Sequence, residues 1–290
     1  MHIDRIRIDR LTTPEEFHVC EELQRRVWGM ADIDVLPLHM MITFQRSGGL
    51  VLGAFDERAE MVGFLLGFLG AQDGGPGRLK HCSHMMGVDA AWRGRGVGRR
   101  LKLAQRDAAR AQGLDLVTWT FDPLESRNAA LNIGRLGGVC RTFISDLYGP
   151  MDDALNAGLS TDRFQVDWWI ASDHVAHRLE GVAPSPSLDD LMAAAPPVNP
   201  AVVDDDGLVR PPDCPRALDG ERILIEIPAD VRTIKARDFA AARRWREQTS
   251  DLFQRAFAAG YTAVDFISER SGAAPARRSV YVLQRDFEVI

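Results

Sequence analysis

The spacing of apolar residues divides the chain into short periodic segments separated by glycine- and proline-rich breaks. Residues 5–11 alternate polar and apolar, which predicts a strand with one buried face. Thr13-Pro14-Glu15-Glu16 then places a capping threonine before a proline and two acids, the opening of a helix that runs to about Trp28. A second short helix is predicted over 37–46, broken by Ser47-Gly48-Gly49. Residues 50–55 and 61–69 read as a hairpin about a turn at 56–60, with a loop at 73–77 beyond it. A strand over 81–88 feeds a glycine-rich loop. Val97, Leu101, Ala104, Ala108 and Ala111 follow at gaps of four and three, an amphipathic helix that Gly113 stops. Strands over 116–121, 139–145 and 164–170, with a helix over 127–136, complete the order β, α, α, β, β, β, α, β, α, β, β.

The character changes over 181–219. Eight of the fifteen prolines fall there, with Asp204-Asp205-Asp206, and the stretch reads as a linker or covering strap. A β-α-β-β unit follows. It has a strand at 222–227, a long helix over 236–259 and a hairpin of strands at 261–267 and 279–284. The helix carries Phe239, Trp245, Leu252, Phe253, Ala256 and Phe257 on or near one face and is capped by Gly260. Such a unit is small for independence. The expected division is therefore 1–180, 181–219 and 220–290, with the last part packed on the first or on a partner subunit. An apolar face left open on its helix would make a homodimer.

At 290 residues, 46% hydrophobic and 26% charged, the composition is that of an ordinary globular protein. A net charge of -6 excludes the basic footprint that nucleic-acid binding requires. The longest apolar run, residues 61–70, is too short to span a bilayer, so no membrane partner is expected. Cys20, Cys82, Cys140 and Cys214 stand far apart, which suggests neither a metal site nor a disulfide framework. With no signal-like start, the expected setting is the cytoplasm.

The chemistry concentrates between His84 and Leu103. A glycine-rich loop leading into a helix exposes backbone N–H groups that suit a phosphate. A P-loop would need Lys-Ser or Lys-Thr where Arg99-Arg100 stand. A dinucleotide fingerprint begun at Gly94 would need its third glycine at Arg99. What the loop does contain is Arg-x-x-Gly-x-Gly, as Arg93, Gly96 and Gly98.

This motif, after a strand ending at Val88, resembles the pyrophosphate loop of the GNAT N-acyltransferase superfamily, and the element order over roughly 5–172 is that of the GNAT fold. The resemblance implies an α/β fold with a mixed, mostly antiparallel sheet whose central strands splay. It also implies that Arg93, Gly94, Arg95, Gly96, Val97, Gly98 and Arg99 hold the coenzyme A pyrophosphate, while Met86, Gly87 and Val88 pair with the pantetheine arm. The stretch from Thr118 to Ile133, Leu136-Gly137, Tyr148-Gly149, Asp162 to Trp169 and the Trp245 helix resemble a subgroup of large bacterial GNAT proteins. Some of that subgroup are linked to amino-acid N-succinylation. The implied co-substrate is acetyl-CoA or succinyl-CoA and the implied acceptor is a small-molecule amine, an amino acid being one class.

Acyl transfer to an amine needs a base, an oxyanion donor and a proton for the leaving thiolate. The amide of Gly87 or Val88, freed by a bulge, is the candidate oxyanion donor. His84 is the first candidate base, on one strand face with residues 86 and 88, and arylalkylamine acetyltransferases of the same superfamily carry a histidine at the corresponding place. Asp122 and Glu125 are further candidate bases, or helix-capping residues. In many GNAT enzymes a tyrosine follows the fifth strand in Asn-x-x-Ala-x-x-x-Tyr-x-x-x-Gly. Aligned on Gly137, that position is Ile133, which leaves Tyr148 as a substitute acid or no dedicated acid. Asn128 and Asn132, four apart, could meet the pantetheine amides or cap nearby loops. Arg127 and Arg141, then Arg163, are the candidates to meet a carboxylate. Of Trp168 and Trp169, at most one can line a pocket. The rival readings are a protein N-acetyltransferase, favoured by a wide acidic groove, and an acyl-CoA-binding protein without catalysis.

Overall fold

The computed structural model describes residues 6–72, 77–151, 157–181, 186–270 and 277–289. Residue 5 of the expected first strand, residues 73–76 of the expected loop and residues 182–185 of the proline-rich stretch lie outside them. The chain forms two compact units, Met1–Trp119 and Thr120–Ile290.

In the first unit, β1 (Arg7–Arg10), β2 (Leu50–Phe55), β3 (Met61–Ala71) and β4 (Leu79–Val88) are neighbours in that order, all antiparallel, and β5 (Leu116–Phe121) joins β4 in parallel. Two helices, α1 (Pro14–Trp28) and α2 (Leu38–Arg46), cover one face, where Phe17, Leu23 and Met41 pack on Val51, Phe64 and Leu66. The opposite face carries α3 (Val97–Ala111), whose Val97 and Leu101 pack on Leu52, Val62 and Leu65. The local signals act as the pattern predicts. Thr13 and Glu16 form a reciprocal capping box, and Gly29 ends α1 in the left-handed region. Gly113, at φ 75°, ends α3 with Gly113 N donating to Arg110 O and Leu114 N to Ala109 O, a Schellman arrangement.

In the second unit, β7 (Arg163–Trp169), β6 (Val139–Ile144), β11 (Tyr261–Arg270), β12 (Arg277–Arg285) and β10 (Arg222–Ile227) are neighbours in that order, every registered pair antiparallel. Packing therefore divides the chain inside β5 and not in the proline-rich stretch. The reason is that β11 pairs with β6, so that residues 222–285 share a sheet with residues 139–169. The expected helix over 127–136 begins as α4 (Ser126–Ala129) and then widens to a π-helical segment over Ala130–Arg135. Two short helices, α5 (Asp173–Glu180) and α6 (Leu188–Ala194), precede the two-residue strands β8 (Val202–Val203) and β9 (Val209–Arg210). The strap is held by exchange of hydrogen bonds between the Asn199 amide and the Glu226 backbone, and by Trp245 Nε1 donating to Val209 O.

The long helix expected over 236–259 is two helices, α7 (Val231–Arg237) and α8 (Phe239–Ala258). Asp238 interrupts them, its extended backbone ending the first while its carboxylate caps the second through Ala241 N. Trp245, Leu252, Phe253 and Ala256 of α8 are buried within the unit, whereas Phe239, at the first turn, is 44% exposed. Trp168 is core, its indole N–H donating to Leu136 O, and Trp169 is half-buried.

Candidate functional site

Between β3 and β4 the register runs Leu65↔Met86, Leu66↔Met85 and then Gly67↔Ser83. His84 is the extra residue, so the bulge sits there and not at Gly87 or Val88. A bulge interrupts the alternation of side chains. Met86 and Val88 pack on the α3 face, Met85 on the face of α1 and α2, and Ser83 reaches Lys102 of α3. His84 lies against Phe68, which in turn meets Phe44 of α2. His84 thus does not share a face with 86 and 88 as simple alternation would have it. Its imidazole is exposed, and partial burial lowers its pKa below the usual histidine value.

The backbone beyond the bulge is set by one hydrogen bond. Asp89 N donates to Val62 O, so Gly87 and Met85 turn their amides toward β3, and Met86 and Val88 turn theirs away from it. On that second side β5 pairs only as far as His81↔Val117 and Cys82↔Thr118. The edge of β4 from Met86 to Val88 is therefore left for another extended partner. Val88 keeps its place as the candidate oxyanion amide. Gly87 does not, because its N–H is spent on β3. What Gly87 provides is room: a Cβ there would meet Phe64 Cε1 at 2.6 Å.

The loop after β4 is a single 3₁₀ turn, Ala90–Trp92, and then Arg93 to Gly96. Arg93 is exposed and folds back over the end of β4, Nε donating to Val88 O at 3.0 Å and Nη2 to Val27 O at 3.2 Å. It fixes the loop to the end of β4 and leaves ligand contact to the backbone. Gly94 and Gly96 adopt φ of 74° and 78° with no atom within 4 Å of where a Cβ would stand. Gly96 is the N-cap of α3 and no side chain bonds to the first-turn amides of that helix. Arg95 lies over Trp92, and Arg100 donates to Ile6 O. Exposed glycines, an uncapped fifteen-residue helix and local arginines fit a polyphosphate. The free edge at Met86 and Val88 fits the amide-bearing arm that coenzyme A attaches to its pyrophosphate.

The remaining candidates belong to the second unit. Asp122 is buried with both oxygens on Arg246 of α8, at 2.8 and 2.5 Å, and it accepts from Leu124 N. Glu125 is gripped at both oxygens by Arg232 of α7. The structure gives both acids anchoring work, because a guanidinium fork that occupies each carboxylate opposes its service as a base. Tyr148 is 56% exposed, its hydroxyl 3.5 Å from Thr120 Oγ1 and its ring under the Arg163 guanidinium. Arg163 is buried and donates to Asp162 O, whereas Arg127 and Arg141 are exposed. Asn128 is exposed and Asn132 is 4% exposed, so the pair do not share a face. The π-helical turn between them changes the residue spacing per turn. Ile133, where the family tyrosine would stand, is fully buried.

Residues 10–133 match the family model described as Acetyltransferase (GNAT) family. This stretch, which holds β4, the loop and α3, is similar to a GNAT acetyltransferase domain. Comparison with curated proteins gave no match. Among solved structures, the NatC complex bound to Gag peptide and CoA aligns at 16% identity over 56% of this chain and 97% of that one, with a TM-score of 0.45. The ribosomal-protein-S18-alanine N-acetyltransferase from Escherichia coli aligns at 16% identity over 57% and 94%, with a TM-score of 0.44. An N-acetyltransferase from Staphylococcus aureus Mu50 aligns at 15% identity over 57% and 98%, with a TM-score of 0.45. Likenesses of this size add no weight to the family match. Among the described residues, no cluster of His, Cys, Asp or Glu could hold a metal ion, and no helix is long and apolar enough to cross a membrane.

Proposed function

We propose that this protein transfers an acyl group from acyl-CoA to the primary amine of a small molecule, an amino acid being the first class to test, with acetyl-CoA or succinyl-CoA as donor. The observation that carries this reading is the uncapped, glycine-opened N-terminus of α3, placed directly after a strand whose Met86 and Val88 amides face away from β3, beyond the last pair registered with β5. The thioester supplies an activated carbonyl when bound. The chain supplies position, since holding the two reactants together accounts for much of the rate in such transfers. Val88 N–H donates to the developing oxyanion. His84, neutral at pH 7 because burial lowers its pKa, accepts the amine proton as the C–N bond forms and the C–S bond breaks. Tyr148 is the candidate to return a proton to the departing sulfur. Asn128 remains an exposed donor for the pantetheine amides, and Arg163, Arg127 and Arg141 are the candidates for a carboxylate on either substrate.

The test is a transfer assay with each donor against a panel of amino acids and simple amines, read by mass spectrometry. An N-acylated product with one donor preferred by tenfold or more supports the reading. A folded protein that binds neither donor and acylates no amine overturns it.

A further inference from the structure

The one buried lysine among the described residues of the first unit lies where β4 and β5 separate. The parallel register ends at Cys82↔Thr118, so Ser83 and Trp119 are the positions at which the next pair would form. Lys102 of α3 occupies that fork. Its Nζ donates to Ser83 Oγ at 2.8 Å and sits 3.5 Å from the centroid of the Trp119 ring, with Gln105 Oε1 at 3.3 Å. Lys102 is 2% exposed, and its partners among the described residues, Ser83, Gln105 and Trp119, are all neutral.

A lysine buried without a carboxylate is costly, and burial drives its pKa well below the usual lysine value. His81, on the same face of β4, is pushed down to about 4 by burial and by Lys102 and stays neutral. An apolar residue would fill the same space without this penalty. Among the described residues of the first unit the other buried polar side chains are Gln24, Gln72, His81, Ser83, Gln105 and Thr118, so Lys102 is the one buried lysine, arginine or carboxylate there.

We propose that Lys102 is a positioning residue. By bonding Ser83 of β4 and stacking on Trp119 of β5, it fixes how far the two strands stand apart and so sets the seat of the acyl group beside the His84 bulge. The inference rests on the acyl-CoA reading above, which assigns the gap to the donor. Ser83 precedes the bulge residue directly, so a displacement of Ser83 moves His84 and the Met86 edge with it. The loop that would hold the pyrophosphate begins beyond Val88 and does not touch the fork.

The test compares the wild-type chain with Lys102→Met and Ser83→Ala. Affinity for CoA is read by calorimetry, turnover by the transfer assay and stability by thermal melting. The expected result for Lys102→Met is a CoA affinity within threefold of wild type, a kcat lower by tenfold or more and a melting midpoint no lower than wild type. Ser83→Ala is expected to lose at least threefold in kcat with its midpoint retained, and it carries the test if Lys102→Met does not fold. Loss of stability and of CoA affinity in step with kcat would mark Lys102 as structural only and overturn the proposal, as would a kcat within twofold of wild type. A wild type that binds CoA and acylates an amine while both variants keep full turnover sinks this inference alone. A wild type that binds no CoA sinks the acyl-CoA reading and this inference with it.

Discussion

Asp122 gives the sharpest test of how the second unit is built. Its carboxylate and the Arg246 guanidinium are each about 95% buried, 6% and 5% exposed, and share two hydrogen bonds. Asp122→Ala removes both bonds and the one from Leu124 N, and it leaves a guanidinium in the interior whose Nε has no partner among the described residues. Breaking one side of a buried pair costs about 3–5 kcal/mol, since the surviving charge stays desolvated. For a chain of this size that lowers the melting midpoint by on the order of 10 °C. Asp122→Leu combined with Arg246→Met removes both charges and should recover most of the loss. The assay is denaturant unfolding of Asp122→Ala and of Asp122→Leu, Arg246→Met and their double, the last three read as a cycle, beside kcat for each. If Asp122→Ala melts within 0.5 kcal/mol of wild type (roughly the effect of an ordinary surface substitution) while kcat collapses, the anchoring account is wrong and Asp122 is a catalytic base.

Other expectations follow from the first unit. His84→Ala should lower kcat/KM by at least tenfold. In the wild type, activity should be level from pH 7 to 8 and fall only below the ordinary histidine value of 6.5, because burial lowers the pKa of the base; a loss under threefold removes His84 from the mechanism. Gly96→Ala meets no neighbour, so its cost should be limited to about 1–2 kcal/mol for a left-handed residue with a Cβ, while CoA affinity falls more than tenfold in calorimetry. Gly87→Ala should destabilise by about 1–3 kcal/mol in denaturant unfolding, through overpacking against Phe64. Lys102 has a depressed folded pKa, so protonation favours the unfolded chain, and its stability penalty grows as pH falls from the ordinary lysine value of 10.5. Melts at pH 9 and pH 7 should therefore show Lys102→Met gaining on wild type at the lower pH.

The parts of this molecule that local chemistry decides were legible in the sequence. Thr13 and Glu16 start α1, Gly113 stops α3, and Gly94 and Gly96 mark the loop because each acts on backbone within a few residues. The bulge was not legible in position. His84-Met85-Met86 has no alternation whose slip would show in hydrophobicity, so the face of His84 could be set only by its register against Gly67. The anchoring of Asp122 was hidden for a different reason. Its partner Arg246 lies 124 residues away, and nothing local distinguishes a capping aspartate from one gripped by a distant guanidinium. Lys102 carries no local signal, because a lysine on an amphipathic helix normally faces water and only the packing of α3 over β4 and β5 turns it inward. The Asn128 and Asn132 pair misled because a π-helical turn is not announced by composition.

The loop from Arg93 to Gly98 and the start of α3 are the proposed seat of coenzyme A. Calorimetric titration of the folded protein with CoA, acetyl-CoA and succinyl-CoA tests it most directly, without thiol reagents that the four cysteines would confuse. Saturable binding of all three at one site is expected, with one acylated form preferred. Absence of binding by every one of them would contradict it and leave the loop a structural turn between β4 and α3.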